Sequence, residues 1–499
     1  MEEPANYFAK SISWSIVAKL FNAAVKFLTL PILLAYYGRE DFGLIAIAVS
    51  VNAYLQLLDM GINTGAIKFF SQWISNKNYT LVDSVARTSI TYYTLIGIIN
   101  AVILLLVAFF GLSFFSIDAS QNEKLFQLLV ILAFFSIINW TASVFNQLLI
   151  ADSKLSYIQK INLFTSVLTL AAACLAVYLE LSIQVYFLLF TIFNTLGIIP
   201  LAVKAKKDRL ITYFKLGVDW VNFRQILAYS SAILVMAIFQ MSAVKLRPIV
   251  LGIFSDDGIG VVADFRILET ITTFIISMGS MSTSIFLPKA SGLIHQGNKH
   301  KISEFAYKST KFTSVFACVL CFPFILCSKE IISLYVGDEF LPLSNWLILW
   351  VCTVLMFLHN SPVASLVLAT GKTRMLVYST AIACIMSIIF NAFYAKDMGV
   401  GSAVIGYFIY ILIVMSYYYT YFNNKILGLN TLRVLQSFIV PTALAFLAMA
   451  FVMFIPIHFS SLIMVIGAKT GLWLFIYGLV LTFFKVVHFN ELLTKIGVK

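Results

Sequence analysis

Charge is scarce in this chain. Asp, Glu, Lys and Arg make up 11% of its 499 residues, against about 25% in soluble domains, and that scarcity excludes an ordinary water-soluble globular fold. Acidic groups are scarcer than basic ones, 22 against 34, which leaves a formal charge of +12. Cysteine is sparse and carries no information on redox compartment, because all six residues fall inside expected helices. Cys318 and Cys321 spell CxxC without the βαβ context of a redox motif, and are read as helix packing.

Other chemistry is missing too. Gly371, Lys372 and Thr373 spell GKT, but Leu366 stands where a P-loop needs glycine, so no nucleotide is expected. His295 and His300 lie in a basic loop and are not expected to bind metal, and His359 beside Asn360 is read as a hydrogen-bonded interior histidine ahead of a protonation site. No cofactor is expected. The longest external loop, residues 112–124, is too short for the reactive loop of a membrane-embedded polymerase or ligase.

What is there is apolar length. Hydrophobic residues make up 61% of the chain, and stretches of about 20 residues, enough to cross a bilayer as a helix, recur from 12–36 to 461–484. Fourteen are expected, in an all-α polytopic membrane protein. Lys and Arg segregate to alternate loops, among them Lys204, Lys206, Lys207, Arg209 and Lys215, whereas the opposite loops hold Arg39, Lys124, Lys329 and Lys396. The positive-inside rule then puts both termini in the cytoplasm, which requires an even number of crossings. The net charge is read as topology and attraction to the lipid surface, with nucleic acid excluded as a partner. The first segment is too long and too charged for a cleaved signal and is expected to stay as an anchor.

Polar residues inside the apolar segments fall on stripes. Lys19 and Lys26 share one helical face with Ser15, Asn22 and Thr29; a lysine at the centre of a membrane helix costs about 2.5–3.5 kcal/mol on insertion scales, so such a face is expected to meet water, substrate or a partner charge. Counted from the turn near Gly38, Lys26 lies about 20 Å deep and Lys19 about 30 Å. The second segment carries Asn52, Gln56, Asp59 and Asn63, and Asp59 is placed to pair with Lys19, either as a brace or in ion coupling. Arg266, Glu269, Thr273, Ser277, Ser280 and Ser284 form a stripe in the eighth segment. Lys245 and Arg247 point roughly 160° apart, so one of them braces or snorkels; Arg247 and Arg266 are taken as the cavity pair. Lys469 is read as a packing or lipid-facing lysine.

The chain also resembles itself. Shifting by 217 residues superposes Pro31 on Pro248, Gly43 on Gly260 and Phe69 on Phe286, and sets Ser136 and Ser143 against Thr353 and Asn360. A two-fold repeat builds a central site between two halves. The expected organisation is an N-lobe at 1–203, a cytoplasmic amphipathic linker at 204–224, a C-lobe at 225–424, and two further helices with a cytoplasmic tail at 425–499.

The opening pattern LPILLAYYGREDFGL at 30–44 and LLDMGI at 57–62 resembles the polysaccharide-transporter branch, including bacterial O-antigen flippases, of the multidrug/oligosaccharidyl-lipid/polysaccharide (MOP) exporter superfamily. The likeness extends over essentially the whole length. It implies two six-helix lobes around a central cationic cavity plus two helices, in a bacterial inner membrane. The implied cargo is undecaprenyl-diphosphate-linked oligosaccharide, moved by alternating access. Membrane lipids, a polymerase, a chain-length regulator and a coupling ion, H+ or Na+, are the implied partners. No catalytic residue is implied. A drug or cation antiporter of the same superfamily is the competing expectation, although it would want an acid in the first helix, which here is basic.

Overall fold

The computed structural model describes residues 4–486 apart from 116, 373 and 458. Glu2, Glu3, Thr373 and the tail lysines Lys495 and Lys499 lie outside the described residues, as do the side chains of Ser15 and Ser284. Every described element is helical, as an apolar solvent demands, because a helix satisfies its own backbone groups. Two compact units form, Met1–Ile267 with Ser387–Ala403, and Leu268–Met386 with Val404–Lys499.

The first unit is built on α1 (Pro4–Leu55), α2 (Leu57–Ser75), α3 (Tyr79–Leu106), α4 (Ala119–Ala151), α5 (Leu155–Tyr178), α6 (Ile183–Leu196), α7 (Ile198–Lys207) and α8 (Trp220–Phe254), and takes in the start of α9 (Gly260–Gln296). Gly38 breaks α1 with φ 80°, a conformation that suits glycine, so α1 holds the first expected span and the beginning of the second. Helix α3 packs on α4, α1 on α5, and α2 on both α8 and α4. Small residues set these approaches. A Cβ on Gly97 of α3 would lie 2.8 Å from Ile137 Cα of α4, and one on Gly43 would lie 2.5 Å from the Ile259 carbonyl oxygen.

Several charges of this unit form pairs near helix ends and breaks. Arg39 grips Asp264 through Nε at 2.8 Å and Nη2 at 2.6 Å, while Lys124 meets Asp41 at 2.8 Å. Toward the other end, Asp208 receives Lys204 at 2.9 Å and also Lys154. Burial raises the Asp208 carboxyl, but the two lysines outweigh it and hold it below the ordinary carboxylate range.

The expected amphipathic linker takes a different form. Residues 208–219 are non-helical, and Leu210 and Ile211 are fully buried in an apolar cluster with Val82, Val85 and Phe223. The segment is strapped to α3: Thr212 N donates to Asp83 at 2.6 Å, Gly217 N to Thr91 at 2.9 Å and Asp219 N to Thr88 at 2.7 Å. Its backbone donors find side-chain acceptors, so it gains nothing from coiling; Leu210 and Ile211 are covered by protein, while Tyr213, Phe214, Leu216 and Val218 stay exposed.

The second unit contains the rest of α9, α10 (Lys299–Leu326), α11 (Ser328–Val336), α12 (Leu343–His359), α13 (Ser361–Ala369), α14 (Arg374–Met398, whose end belongs to the first unit), α15 (Val400–Tyr417, whose start does too), α16 (Thr431–Met453) and α17 (Leu462–Phe483). Helix α10 packs on α12, α16 and α17, with Phe322 stacked on Trp473 at 5.3 Å and edge-on to Phe446 at 4.8 Å. Lys469 pairs with Glu330 of α11 at 2.5 Å. Cys318 and Cys321 are buried.

Among the described residues ten helices are long and apolar enough to cross a membrane, eleven when the bent pair α12–α13 counts as one span. All fourteen expected spans fall on helices. Outside the eleven, α2, α8 and α9 carry Asp59, Lys245, Arg247, Arg266 and Glu269. Exposed Phe109, Phe134 and Phe393 are the surface expected toward hydrocarbon.

Candidate functional site

The helical hydrogen-bond pattern slips at Gln56, between α1 and α2. The slip sets Asn52 from the last turn of α1 and Gln56 at the break beside Asp59 and Asn63 from the first turns of α2, all on one wall of a cavity of ≈ 420 Å³. Asp59 falls in the first turn of α2, where the partial positive charge of the helix end favours a carboxylate. The facing wall is Asn100 of α3 with Ser136, Asn139, Trp140 and Ser143 of α4; Met241 and Lys245 of α8 complete it. All of these residues belong to the first unit.

The walls are tied together by side chains. Asp59 accepts from the Tyr93 hydroxyl through Oδ1 and from Ser143 Oγ at 3.0 Å through Oδ2. Gln147 Nε2 donates to the same Tyr93 oxygen at 2.6 Å. Asn100 Nδ2 donates to Ser136 Oγ at 2.6 Å, and Ser136 Oγ donates on to the Gly97 carbonyl at 3.1 Å. Such networks hold donors in fixed directions inside a low-dielectric interior. The close α3–α4 approach that Gly97 permits is what brings Asn100 within reach of Ser136.

Asn52, Gln56, Asp59 and Asn63 are thus brought together, and Asp59 takes hydroxyl partners where the sequence suggested Lys19. The other candidate residues stand elsewhere. On α1, Lys19 and Lys26 are exposed, and Asn22 is half-buried and accepts a hydrogen bond from Ser166 of α5. Arg247 is 1% exposed. Arg266 donates to Ser50 Oγ at 2.6 Å and to the Ala46 carbonyl at 3.2 Å. Glu269 is half-buried and Thr273 exposed, on the part of α9 that belongs to the second unit. Sequence reasoning did not assign Tyr93, Asn100, Asn139 and Gln147 to a site. Their signal was a spacing of seven between Tyr93 and Asn100, and the run Ser136, Asn139, Ser143, Gln147 on one face of α4.

Among the described residues no cluster of His, Cys, Asp or Glu is arranged to hold a metal. The cavity therefore offers amides, hydroxyls, one acid and one lysine. That set can hydrogen-bond a polyol and meet one charge of either sign, and it lies within the size range of small-ligand pockets.

Fold and site together define an all-helical membrane protein with a polar pocket inside an apolar bundle. The chain belongs to the polysaccharide biosynthesis protein family, whose family model matches residues 37–345. No curated protein sequence matches it. Its fold is that of the MOP superfamily. It is similar to lipid II flippase MurJ in an inward closed conformation, with 13% identity, TM-score 0.74, and 95% of this chain and 98% of that one covered. An inward-facing multidrug resistance MATE transporter of the MOP superfamily aligns with 15% identity and TM-score 0.66, over 80% of this chain and 92% of that one. A MOP superfamily transporter from Pyrococcus furiosus aligns with 14% identity and TM-score 0.60, over 86% and 94%.

Proposed function

We propose that this protein is a flippase for undecaprenyl-diphosphate-linked oligosaccharide, an O-antigen or related polysaccharide repeat unit. It moves the cargo from the cytoplasmic to the periplasmic leaflet of a bacterial inner membrane by alternating access between the lobes at 1–203 and 225–424. In this reading both termini are cytoplasmic, and a polymerase and a chain-length regulator take over the product. The observation that supports it most is the cavity in the first unit, where Asn52, Gln56, Asn63, Asn100 and Asn139 turn amides inward among apolar helices. A sugar head is rich in hydroxyls, and buried amides that match them repay their own desolvation only when those bonds are made. Family membership points to the same cargo class.

Lys19 and Lys26 are proposed to meet the diphosphate along the path, with Arg266, Glu269 and Thr273 lining its continuation. A second reading, a cation antiporter coupled to H+ or Na+, draws on one observation: Asp59 is an acid in the cavity wall.

The test is flipping in proteoliposomes with a fluorescent undecaprenyl-diphosphate oligosaccharide, scored by the fraction protected from a membrane-impermeant quencher. Wild type should flip it, Lys26→Leu should reduce the rate at least tenfold at normal incorporation, and Lys26→Arg should retain part. Full activity of Lys26→Leu contradicts a cationic path along α1. No flipping by wild type, together with export of organic cations, replaces the reading with the antiporter.

A further inference from the structure

We propose that a cavity at the basic end of the second unit is a binding site for the phosphate of an anionic phospholipid headgroup. The cavity, ≈ 440 Å³, collects three cations from three separate segments: Lys311 of α10, Arg433 of α16, and Lys485 just beyond α17. Tyr307, Gln436 and Ser437 add neutral polar groups. Among the described residues no carboxylate lines it and no ion pair engages any of the three cations. The contrast with the adjacent turn of α10 is direct, since Lys308 there is paired with Glu304 at 2.6 Å. Three like charges facing one space repel each other, and an anion in that space reverses the sign of the interaction.

The frame is built rather than incidental. Asn430 caps α16, its side chain accepting from Arg433 N at 3.2 Å, and Asn430 N donates to the Tyr307 hydroxyl at 2.9 Å, which ties the start of α16 to α10. Tyr307 oxygen is thereby an acceptor to the backbone, which leaves its own proton for a ligand oxygen. Lys311 is half-buried, so its charge is held at the cavity instead of sweeping through solvent.

The rest of the lining gives the ligand a tail. Val440 and Phe484 border the cavity and are 44% and 56% exposed, and the cavity lies where the apolar spans of α16 and α17 end. A free phosphate would use the cations alone. A phospholipid uses the cations and the apolar border together, and basic pockets between membrane helices bind such headgroups.

The test is native mass spectrometry of the full chain in detergent, titrated with phosphatidylglycerol. Each cation near an anionic lipid contributes about a fivefold gain in affinity, so Lys311→Gln/Arg433→Gln should bind it about thirtyfold more weakly. Lys301→Gln/Lys308→Gln, which removes two charges from a neighbouring part of α10, should bind as wild type. Melting temperatures without lipid establish that the variants are folded, and Lys485→Gln, beyond the helix end, is the substitute if the double variant is not. Equal binding by all variants, equal binding of phosphatidylethanolamine, displacement of the lipid by millimolar inorganic phosphate alone, or tighter capture of undecaprenyl phosphate than of phosphatidylglycerol each overturns the assignment.

Discussion

The two units keep polar side chains inside apolar helices by different means. In the first, they bond across helices: Tyr93 of α3 and Ser143 of α4 meet Asp59 of α2, and Asn100 of α3 meets Ser136 of α4. In the second, cross-helix bonds are single contacts, such as His359 Nε2 with the Tyr419 hydroxyl at 2.8 Å, and hydroxyls such as Ser314 and Thr353 return to their own backbone, to Thr310 at 2.7 Å and to Leu349 at 2.8 Å. A hydroxyl bonded one turn back is spent within its helix and disturbs it only slightly. A cross-helix network is different, because its groups face an open cavity and can exchange partners with a ligand. Residues 136 and 353, which the 217-residue shift superposes, show the divergence directly. At this pair of positions the first unit puts its hydroxyl into a cross-helix network and the second returns it to its own helix.

The largest effect should come from breaking the network at its centre. Asp59→Leu strands the Tyr93 and Ser143 hydroxyls, at a cost of about 1–3 kcal/mol for a buried group left unsatisfied, and should abolish surface glycan in a complementation assay. Asp59→Asn keeps an acceptor and separates charge from bonding; retained export there would assign Asp59 to the frame. The matched change in the second unit, Thr353→Val, removes a hydroxyl that serves only its own helix and should leave export near wild type.

A smaller effect concerns the approach that aligns the network. Gly97→Val places its Cβ within 2.8 Å of Ile137 Cα and should destabilise the protein by about 1–3 kcal/mol, the usual cost of overpacking. Gly467→Ala on α17 meets open space and should be neutral or stabilising by up to about 1 kcal/mol. Thermal melting in detergent compares them, and equal losses would remove Gly97 from its role.

The smallest effect is electrostatic. Because Asp208 titrates below the ordinary carboxylate range in the folded chain, its contribution to stability is present above the unfolded value of about 3.9 and is lost as pH falls through the lowered one. Melting temperature should therefore drop below about pH 4, and Asp208→Asn should flatten that drop while lowering stability at pH 7. An unchanged acid limb would show the Lys154 and Lys204 contacts to be idle.

Much of this was legible in residue order. Apolar length located the spans, because a bilayer imposes one length on every crossing, and the spacing of Asn52, Gln56, Asp59 and Asn63 announced one face. What could not be read was adjacency. Tyr93 and Gln147 look like ordinary members of apolar helices until α2, α3 and α4 are packed, and Lys245 and Arg247 are separable by angle but not assignable to a cavity without α8 in place. The amphipathic linker expected at 204–224 gave no sign of its backbone, because lysines mixed with Leu210, Ile211 and Tyr213 suit a helix or a strap alike, and the acceptors Asp83, Thr88 and Thr91 on α3 decide for the strap. The slip at Gln56 left no composition signal, with neither proline nor glycine at the break, whereas the bend at Asn360 is marked by Pro362 in the first turn of α13.

The central claim is that the polar head of a lipid-linked oligosaccharide enters the cavity of the first unit. The direct measurement is site-specific photocrosslinking in membranes supplied with radiolabelled undecaprenyl-diphosphate oligosaccharide, using p-benzoylphenylalanine at Met241, which lines the cavity, and at Phe446, which lies 42% exposed on α16. The account predicts a labelled adduct at Met241 that excess unlabelled cargo suppresses, and none above background at Phe446. Equal labelling at the two positions, or none at Met241 in a protein that still exports glycan, would contradict it.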